Sequence, residues 1–144
     1  MITLRDLTPQ NWHNCIRLQP RPDQEAFIES NLYSIAQSKI EPFWVPQAIY
    51  ANMTMVGFVM YGKIAEGTYE IGRLMIDQHF QGQGHVRAAM QLVIERLRSL
   101  SDCVVIKLSH VPGNAAAAQL YTSLGFTHTE ELWGDEPVLE LKSP

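Results

Sequence analysis

A mixed α/β fold, one sheet with helices packed on it, is what this sequence predicts. Three observations carry the expectation. Strand-like segments crowd the centre of the chain at residues 47–51, 55–61 and 69–76. A helical apolar period follows over residues 85–100, with Val86, Ala89, Met90, Val93, Ile94 and Leu97 on one side. Strand and helix patterns then alternate and two strands close the chain, the element order of a sheet layered with helices.

Each element has its own local reason. Residues 2–7 alternate apolar and polar as a half-buried strand does. Thr8 before Pro9 reads as a helix start, a capping hydroxyl ahead of proline at the first helical position. Trp12, Cys15, Ile16 and Leu18 form that helix's expected apolar face, and Pro20 and Pro22 end it. Phe27, Ile28, Leu32, Ile35 and Ala36 recur near the helical period and predict a second helix. The strands at 47–51 and 55–61 flank a turn at Asn52, Met53 and Thr54, the pattern of a hairpin. Gly67 marks the turn into the strand at 69–76. After the helix at 85–100, the β-branched run at 104–108 reads as a buried strand. Pro112, Gly113 and Asn114 open an alanine-rich helix at 115–124, and Gly125 stops it. Residues 126–132 and 138–141 are two strands joined at Gly134 and Asp135.

The bulk composition narrows the function. The chain has 144 residues, 46% of them hydrophobic, enough for one domain with its own core. Its formal net charge is -4, from eleven Lys and Arg against fifteen Asp and Glu, which argues against a nucleic-acid binder. Cys15 and Cys103 lie in apolar contexts without a CxxC or a histidine cluster, and read as two buried thiols. His79, His85, His110 and His128 lack metal-ligand spacing, so no metal is expected. Arg5 and Asp6 interrupt the N-terminus before any apolar run, and no stretch approaches ~20 apolar residues. The expected location is the cytoplasm, with no membrane association.

The most informative segment is residues 74–87, a strand, a glycine-bearing loop and a helix start. A helix N-terminus presents unpaired backbone N–H groups and partial positive charge. Glycines let that backbone wrap closely around an anion, so the segment suits a phosphate or pyrophosphate. No Lys-Ser/Thr pair follows Gly84, which excludes a P-loop, and Arg87 stands where a dinucleotide fingerprint needs glycine. Taken alone, the segment reads equally as a tight turn into a helix with no ligand.

A second segment joins it, with Asn114, Leu120-Tyr121 and Gly125-Phe126 on and after the helix that follows the strand at 104–108. Together with Gln81-Gly82-Gln83-Gly84-His85-Val86, these residues resemble the GNAT superfamily of N-acetyltransferases, whose pyrophosphate loop reads Gln/Arg-x-x-Gly-x-Gly/Ala. The resemblance is strong over residues 69–132 and follows the whole element order. It implies a single N-acetyltransferase domain over residues 1–144. It also implies a mostly antiparallel central sheet, splayed in the middle and flanked by about four helices. Acetyl-CoA is the implied cosubstrate, with direct transfer to an amine in a ternary complex. Position 86 departs from the pattern: Val stands where the family prefers Gly or Ala. Its backbone N–H stays available while its side chain crowds the pyrophosphate, so weaker or slightly shifted CoA binding is expected.

The resemblance also implies roles. Gln81, Gly82, Gln83, Gly84, His85, Val86 and Arg87 are assigned to the CoA pyrophosphate, mainly through backbone N–H groups; Arg87 reads equally as a solvated first-turn residue. Leu74, Met75 and Ile76 match the strand that pairs with the pantetheine arm, while their side chains read as core. Asn114 matches an asparagine near the pantetheine end, or is a plain helix N-cap. Tyr121 matches the general acid that protonates the departing CoA thiolate, or is a core tyrosine. Glu70, eleven residues before Gln81, resembles the general-base glutamate of the histone-acetylating branch. Such a base is needed because a lysine-like amine has a pKa of about 10. Glu70 is expected to share a strand face with Gly72, Leu74 and Ile76, or else to be an exposed acid at a strand start.

The acceptor side is read from the N-terminal half. Residues 27–30, 42–46 and 56–62 resemble bacterial spermine/spermidine and diamine acetyltransferases. Glu29, Glu41 and Trp44 are the expected substrate contacts, with Glu25 as a further acid and Phe27, Tyr33 and Phe43 as aromatic walls. Carboxylates among aromatic rings suit a polyamine through ion pairing and cation–π contact; the same acids on helix faces read equally as solvated. A protein lysine or N-terminus fits such a cleft too, and a CoA-binding sensor without turnover is the reading from another class. Many relatives form dimers, and the C-terminal strands around residues 138–141 are the candidates for pairing.

Overall fold

The computed structural model describes residues 1–143. Its strands are β1 Ile2–Asp6, β2 Trp44–Ala51, β3 Thr54–Ala65, β4 Thr68–Ile76, β5 Val105–Ser109, β6 Thr127–Trp133 and β7 Glu136–Lys142. Its α-helices are α1 Trp12–Arg17, α2 Asn31–Ile40, α3 His85–Arg98 and α4 Ala115–Ser123. The seven strands make one sheet in the order β1-β2-β3-β4-β5-β7-β6. Every neighbouring pair is antiparallel except β4 with β5. This is the mixed, mostly antiparallel sheet with four helices that the resemblance implies.

The sheet separates two cores. Along β3, Phe58 and Met60 join one cluster while Val59 and Tyr61 join the other, because successive side chains on a strand point to opposite faces. On one face α3 contributes Ala89, Met90, Val93, Ile94 and Leu97, packed with Ile106, Phe126 and Leu139. On the other, Cys15 of α1 packs with Trp44, Phe58, Met60 and Met75. Phe58 is fully buried, and truncating such a side chain to Ala costs about 3–5 kcal/mol. Cys15 and Cys103 are both free and buried, as expected, and burial pushes the Cys15 thiol up to about 12. No described helix is long and apolar enough to cross a membrane.

Four local features depart from the sequence pattern, each for a visible reason. Helix α1 begins at Trp12 rather than at Pro9. The Asn11 side chain accepts from the Thr8 N–H at 2.8 Å, and Thr8 Oγ1 accepts from the Gln10 N–H at 3.2 Å, so residues 8–11 close a turn first. The apolar period over 27–36 is broken, because Pro22–Phe27 is a 3₁₀ helix and Ser30 caps α2 by accepting from the Tyr33 N–H at 3.1 Å. Helix α2 then buries Asn31 and leaves Leu32 exposed. Asn31 can be buried because its side chain donates to the Cys15 carbonyl at 2.9 Å, locking α2 to α1. Of the two C-terminal strands only β6 is an edge of the sheet; residues 138–141 lie inside it, since β7 is paired with β5 on one side and β6 on the other.

The fourth departure bears on function. Met60 pairs with Arg73 but its neighbour Tyr61 pairs with Ile71, leaving Gly72 as the extra residue of a β-bulge. Trp44 lies against this point, and a Cβ on Gly72 would stand 2.9 Å from its ring. The bulge reverses the alternation: Ile71, Leu74 and Ile76 all join the α3-side core. Glu70, next to Ile71, therefore points to the opposite face from Leu74 and Ile76, not to the shared face the plain alternation suggests.

Candidate active site

Strands β4 and β5 run parallel and pair only at Thr68 with Val105, Tyr69 with Ile106 and Glu70 with Lys107. Beyond Glu70 they part, β4 staying with β3 and β5 continuing along β7. The gap opens into a cleft of about 1120 Å³, bounded by Gln24 and Glu29 on one side and by Asn114 and Tyr121 on the other.

Leu74, Met75 and Ile76 line this cleft beyond the point where β5 leaves. Asp77 comes next and is buried. Its carboxylate accepts from the Gln19 N–H at 3.0 Å and the His79 N–H at 2.9 Å, and meets the His79 ring at 2.9 Å. Burial acts to raise its pKa, but these contacts outweigh it and hold the carboxyl below its ordinary value. Asp77 thus caps the short 3₁₀ helix Gln78–Phe80 and pins the start of the loop. Gly82 and Gly84 follow with φ of +79° and +80°, and no atom lies within 4 Å of where a Cβ would stand. Backbone shape, not crowding, therefore calls for glycine at both. Gly84 is the N-cap of α3, and no side chain caps that helix. Its first turn lines the cleft at Gly84, His85 and Val86, and its N–H groups have no side-chain partner, the condition an anion needs.

The side chains of this loop divide in three ways. His85 and Val86 line the cleft, and Val86 also packs against the α3-side core. Gln83 and Arg87 do not line it; Arg87 is exposed and donates to Ser123 Oγ at 2.7 Å. Gln81 is engaged within the protein. Its Nε2 donates to the Ile76 carbonyl at 2.9 Å and to Gln24 Oε1 at 2.8 Å, and its Oε1 accepts from Arg21 at 2.6 Å. It ties the loop to the 3₁₀ helix Pro22–Phe27.

Glu70 and Tyr121 reach the same cleft from β4 and α4. Asn114 satisfies both of its readings, accepting from the Ala117 N–H at 3.3 Å as the N-cap of α4 while lining the cleft. Tyr121 is half-buried beside Phe126, and burial, aided by the charge of Glu136, pushes its hydroxyl up to about 12. Glu70 is half-buried, and burial pushes its carboxyl up to about 7; Arg73 opposes the rise and Glu136 adds to it. A carboxyl with that pKa is divided between its two forms near neutrality, as a general base requires.

Glu136 is a cleft residue that the sequence pattern passes over. It opens β7 directly after the Gly134-Asp135 turn, where an acid reads as part of the turn. Pairing of β7 with β5 sets it beside Ser109, whose Oγ donates to Glu136 Oε1 at 2.8 Å.

The opposite wall is the 3₁₀ helix Pro22–Phe27 and the residues after it, bringing Asp23, Glu25 and Glu29 to the cleft. Glu41 and Trp44 do not line it. Trp44 is only 7% exposed, and its Nε1 donates to Glu41 Oε1 at 3.1 Å. Gln37 Nε2 donates to the same oxygen at 3.1 Å, and Gln37 Oε1 accepts from Arg73 at 3.0 Å. This chain of hydrogen bonds ends on a guanidinium that does line the cleft, so Glu41 and Trp44 reach it only through Arg73.

Residues 8–126 match the Acetyltransferase (GNAT) family. Over 138 residues the chain is 30% identical to a protein of Bacillus subtilis subsp. natto described as "Probable spermine N(1)-acetyltransferase", a match spanning 91% of each chain. Its fold is similar to that of the PaiA N-acetyltransferase of Thermoplasma acidophilum in complex with coenzyme A, with a TM-score of 0.73 and 19% identity over 99% of each chain. It is similar again to the spermidine N-acetyltransferase of Vibrio cholerae in complex with CoA and spermine, with a TM-score of 0.76 and 18% identity over 99% of this chain and 95% of that one.

Proposed function

Since the chain belongs to the Acetyltransferase (GNAT) family and is an acetyl-CoA-dependent N-acetyltransferase, we propose that its acceptor is a small polyamine of the spermidine or spermine kind, acetylated on a primary amine. The observation that carries this reading is the charge of the cleft. Glu25, Glu29, Glu70 and Glu136 line it without an ion pair among the described residues. Its two arginines are hydrogen-bonded to other groups, Arg21 to Asp23 and Gln81, and Arg73 to Gln37 and the Gly72 carbonyl. Acids outnumber arginines along the cleft; an excess of one charge gathers ligands of the other, and a polyamine carries several cations along its length. The relative described as a spermine acetyltransferase supports the same reading.

Acetyl-CoA supplies the acetyl group as a thioester. The first-turn N–H groups of α3, with the loop from Gln81 to Val86, hold its pyrophosphate. The edge of β4 at Leu74, Met75 and Ile76 pairs with the amides of the pantetheine arm, and Asn114 lies near the end of that arm. Glu70 takes a proton from the acceptor ammonium, freeing the nitrogen to bond to the acetyl carbon as the carbon–sulfur bond breaks. Tyr121 gives its proton to the departing thiolate, and the second proton shed by the newly bonded nitrogen restores the phenol, leaving an amide, free CoA thiol and the proton held on Glu70. The two pKa shifts suit these roles: a tyrosine pushed up to about 12 is still protonated at neutral pH, and a glutamate near 7 is ionised often enough to accept a proton.

Release of CoA thiol from acetyl-CoA, followed with spermine, spermidine, a diamine, an aminoglycoside and a lysine peptide, tests this. Selective turnover of the polyamines is expected. Faster turnover of the lysine peptide sinks the polyamine reading in favour of protein acetylation, and bound CoA with no amine turned over leaves a sensor.

A further inference from the structure

Glu136 has no role in the chemistry described so far, yet its surroundings are unusual for a glutamate. It is half-buried at the start of β7, on the far side of the splay from β4. Ser109 holds one oxygen, Oε1, at 2.8 Å. The other oxygen, Oε2, receives no hydrogen bond from a described residue, and no described Lys, Arg or His pairs with the carboxylate. A carboxylate taken partly out of water without a cation is costly, and such groups are ordinarily paired. Its charge also reaches both Glu70 on β4 and Tyr121 on α4, raising the proton affinity of each. Glu136 lines the same cleft as Glu70 and Tyr121, the place where the acceptor nitrogen must sit.

We propose that Glu136 binds the acceptor directly, its free carboxylate oxygen receiving an N–H from the ammonium that is to be acetylated and orienting it between Glu70 and Tyr121. Ser109 fixes the carboxylate so that one oxygen faces the cleft. The cation missing from the protein is then supplied by the substrate, and the site favours amines that are charged when they arrive. Glu70 and Glu136 divide the work: one holds the ammonium and the other removes its proton. This assignment rests on the amine-acetylating reading of the cleft and adds the residue that selects a cationic acceptor.

Glu136→Gln removes the charge but leaves an oxygen to accept from Ser109, so it tests charge with little change of shape. The probe is spermidine titrated calorimetrically into protein saturated with CoA. The dissociation constant for spermidine is expected to rise about tenfold, the loss of one charge-assisted contact. The affinity for CoA and the melting temperature should stay unchanged. Glu136→Asp, which keeps the charge, should bind spermidine within about threefold of the wild type. Equal spermidine affinity in wild type and Glu136→Gln overturns the assignment, as does a loss of CoA affinity of the same size, which marks a structural role. Turnover separates this claim from the wider one. If spermidine binds and the Gln variant weakens it, yet the wild type acetylates no polyamine, the anchor stands and the polyamine reading falls. If the wild type binds no spermidine, the anchor falls with it.

Discussion

The two ends of the cleft are built on different principles. At the proposed donor end, the groups assigned to the pyrophosphate are backbone N–H groups at the start of α3, set by two left-handed glycines and left free of side-chain caps. At the proposed acceptor end, the groups assigned to the substrate are the carboxylates of Glu25 and Glu29, carried on a 3₁₀ helix and the irregular stretch after it. A backbone-made site constrains conformation and leaves its side chains free to vary. A side-chain-made site constrains charge and leaves the backbone free. Gln81 bridges the two, bonding to Ile76 and to Gln24 at once.

Substitutions should expose that division. The largest effect is expected where the two ends meet. Tyr121→Phe should lower kcat by about 100-fold or more while leaving the KM values for acetyl-CoA and polyamine near those of the wild type, because only proton donation is lost. A full rate in steady-state assays removes Tyr121 as the acid. At the donor end, Gly84→Ala forces an L-residue into φ +80° with open space around its Cβ. The backbone strain is worth about 1–2 kcal/mol, and KM for acetyl-CoA should rise roughly tenfold with the polyamine KM unchanged. A matching rise in both would show that the two ends are not separate. At the acceptor end, Glu29→Gln should do the reverse, raising the polyamine KM about threefold. That effect should fade as salt is added; persistence in high salt would contradict an exposed electrostatic contact. The smallest effect is expected at Val86→Ala. Relief of crowding should lower the acetyl-CoA KM about twofold, while lost packing costs about 1 kcal/mol of stability. A higher KM for acetyl-CoA would show that the valine helps rather than hinders.

The same division explains what could be read from the sequence. The glycine loop was legible because conformation writes itself into glycine positions, and Gly82 and Gly84 line the cleft in the structure; Asn114 and Tyr121, expected from the family resemblance alone, line it too. The strand and helix order was legible because β3 is a continuous apolar run bounded by turns, as a strand buried on both faces is, and α3 keeps an apolar period of three to four residues. The acceptor wall was not. Glu29 lines the cleft, but Glu41 turns to Trp44 and Gln37, and nothing in their spacing foretells the hydrogen bonds that hold them there. The bulge at Gly72 was hidden as well, because it is a matter of register between β3 and β4, and the Trp44 ring that leaves no room for a Cβ there comes from another strand. Glu136 was hidden because a long-range register places it, and the five residues around it read only as a turn and a strand start. Where a site depends on which strand lies beside which, local pattern carries no signal.

The central claim is that Glu70, on the far face of the bulged strand, removes the proton from the acceptor. The most direct measurement is the pH dependence of kcat/KM for spermidine, in the wild type and in Glu70→Gln. Burial raises this carboxyl to about 7, so it is protonated and unable to accept below that pH and ionised above it. The wild type should therefore gain activity as pH rises through about 7. Glu70→Gln should lose that limb and retain only a slow rate that climbs towards the amine's own pKa of about 10. An unchanged limb near neutrality in Glu70→Gln would contradict the account and place the base elsewhere in the cleft.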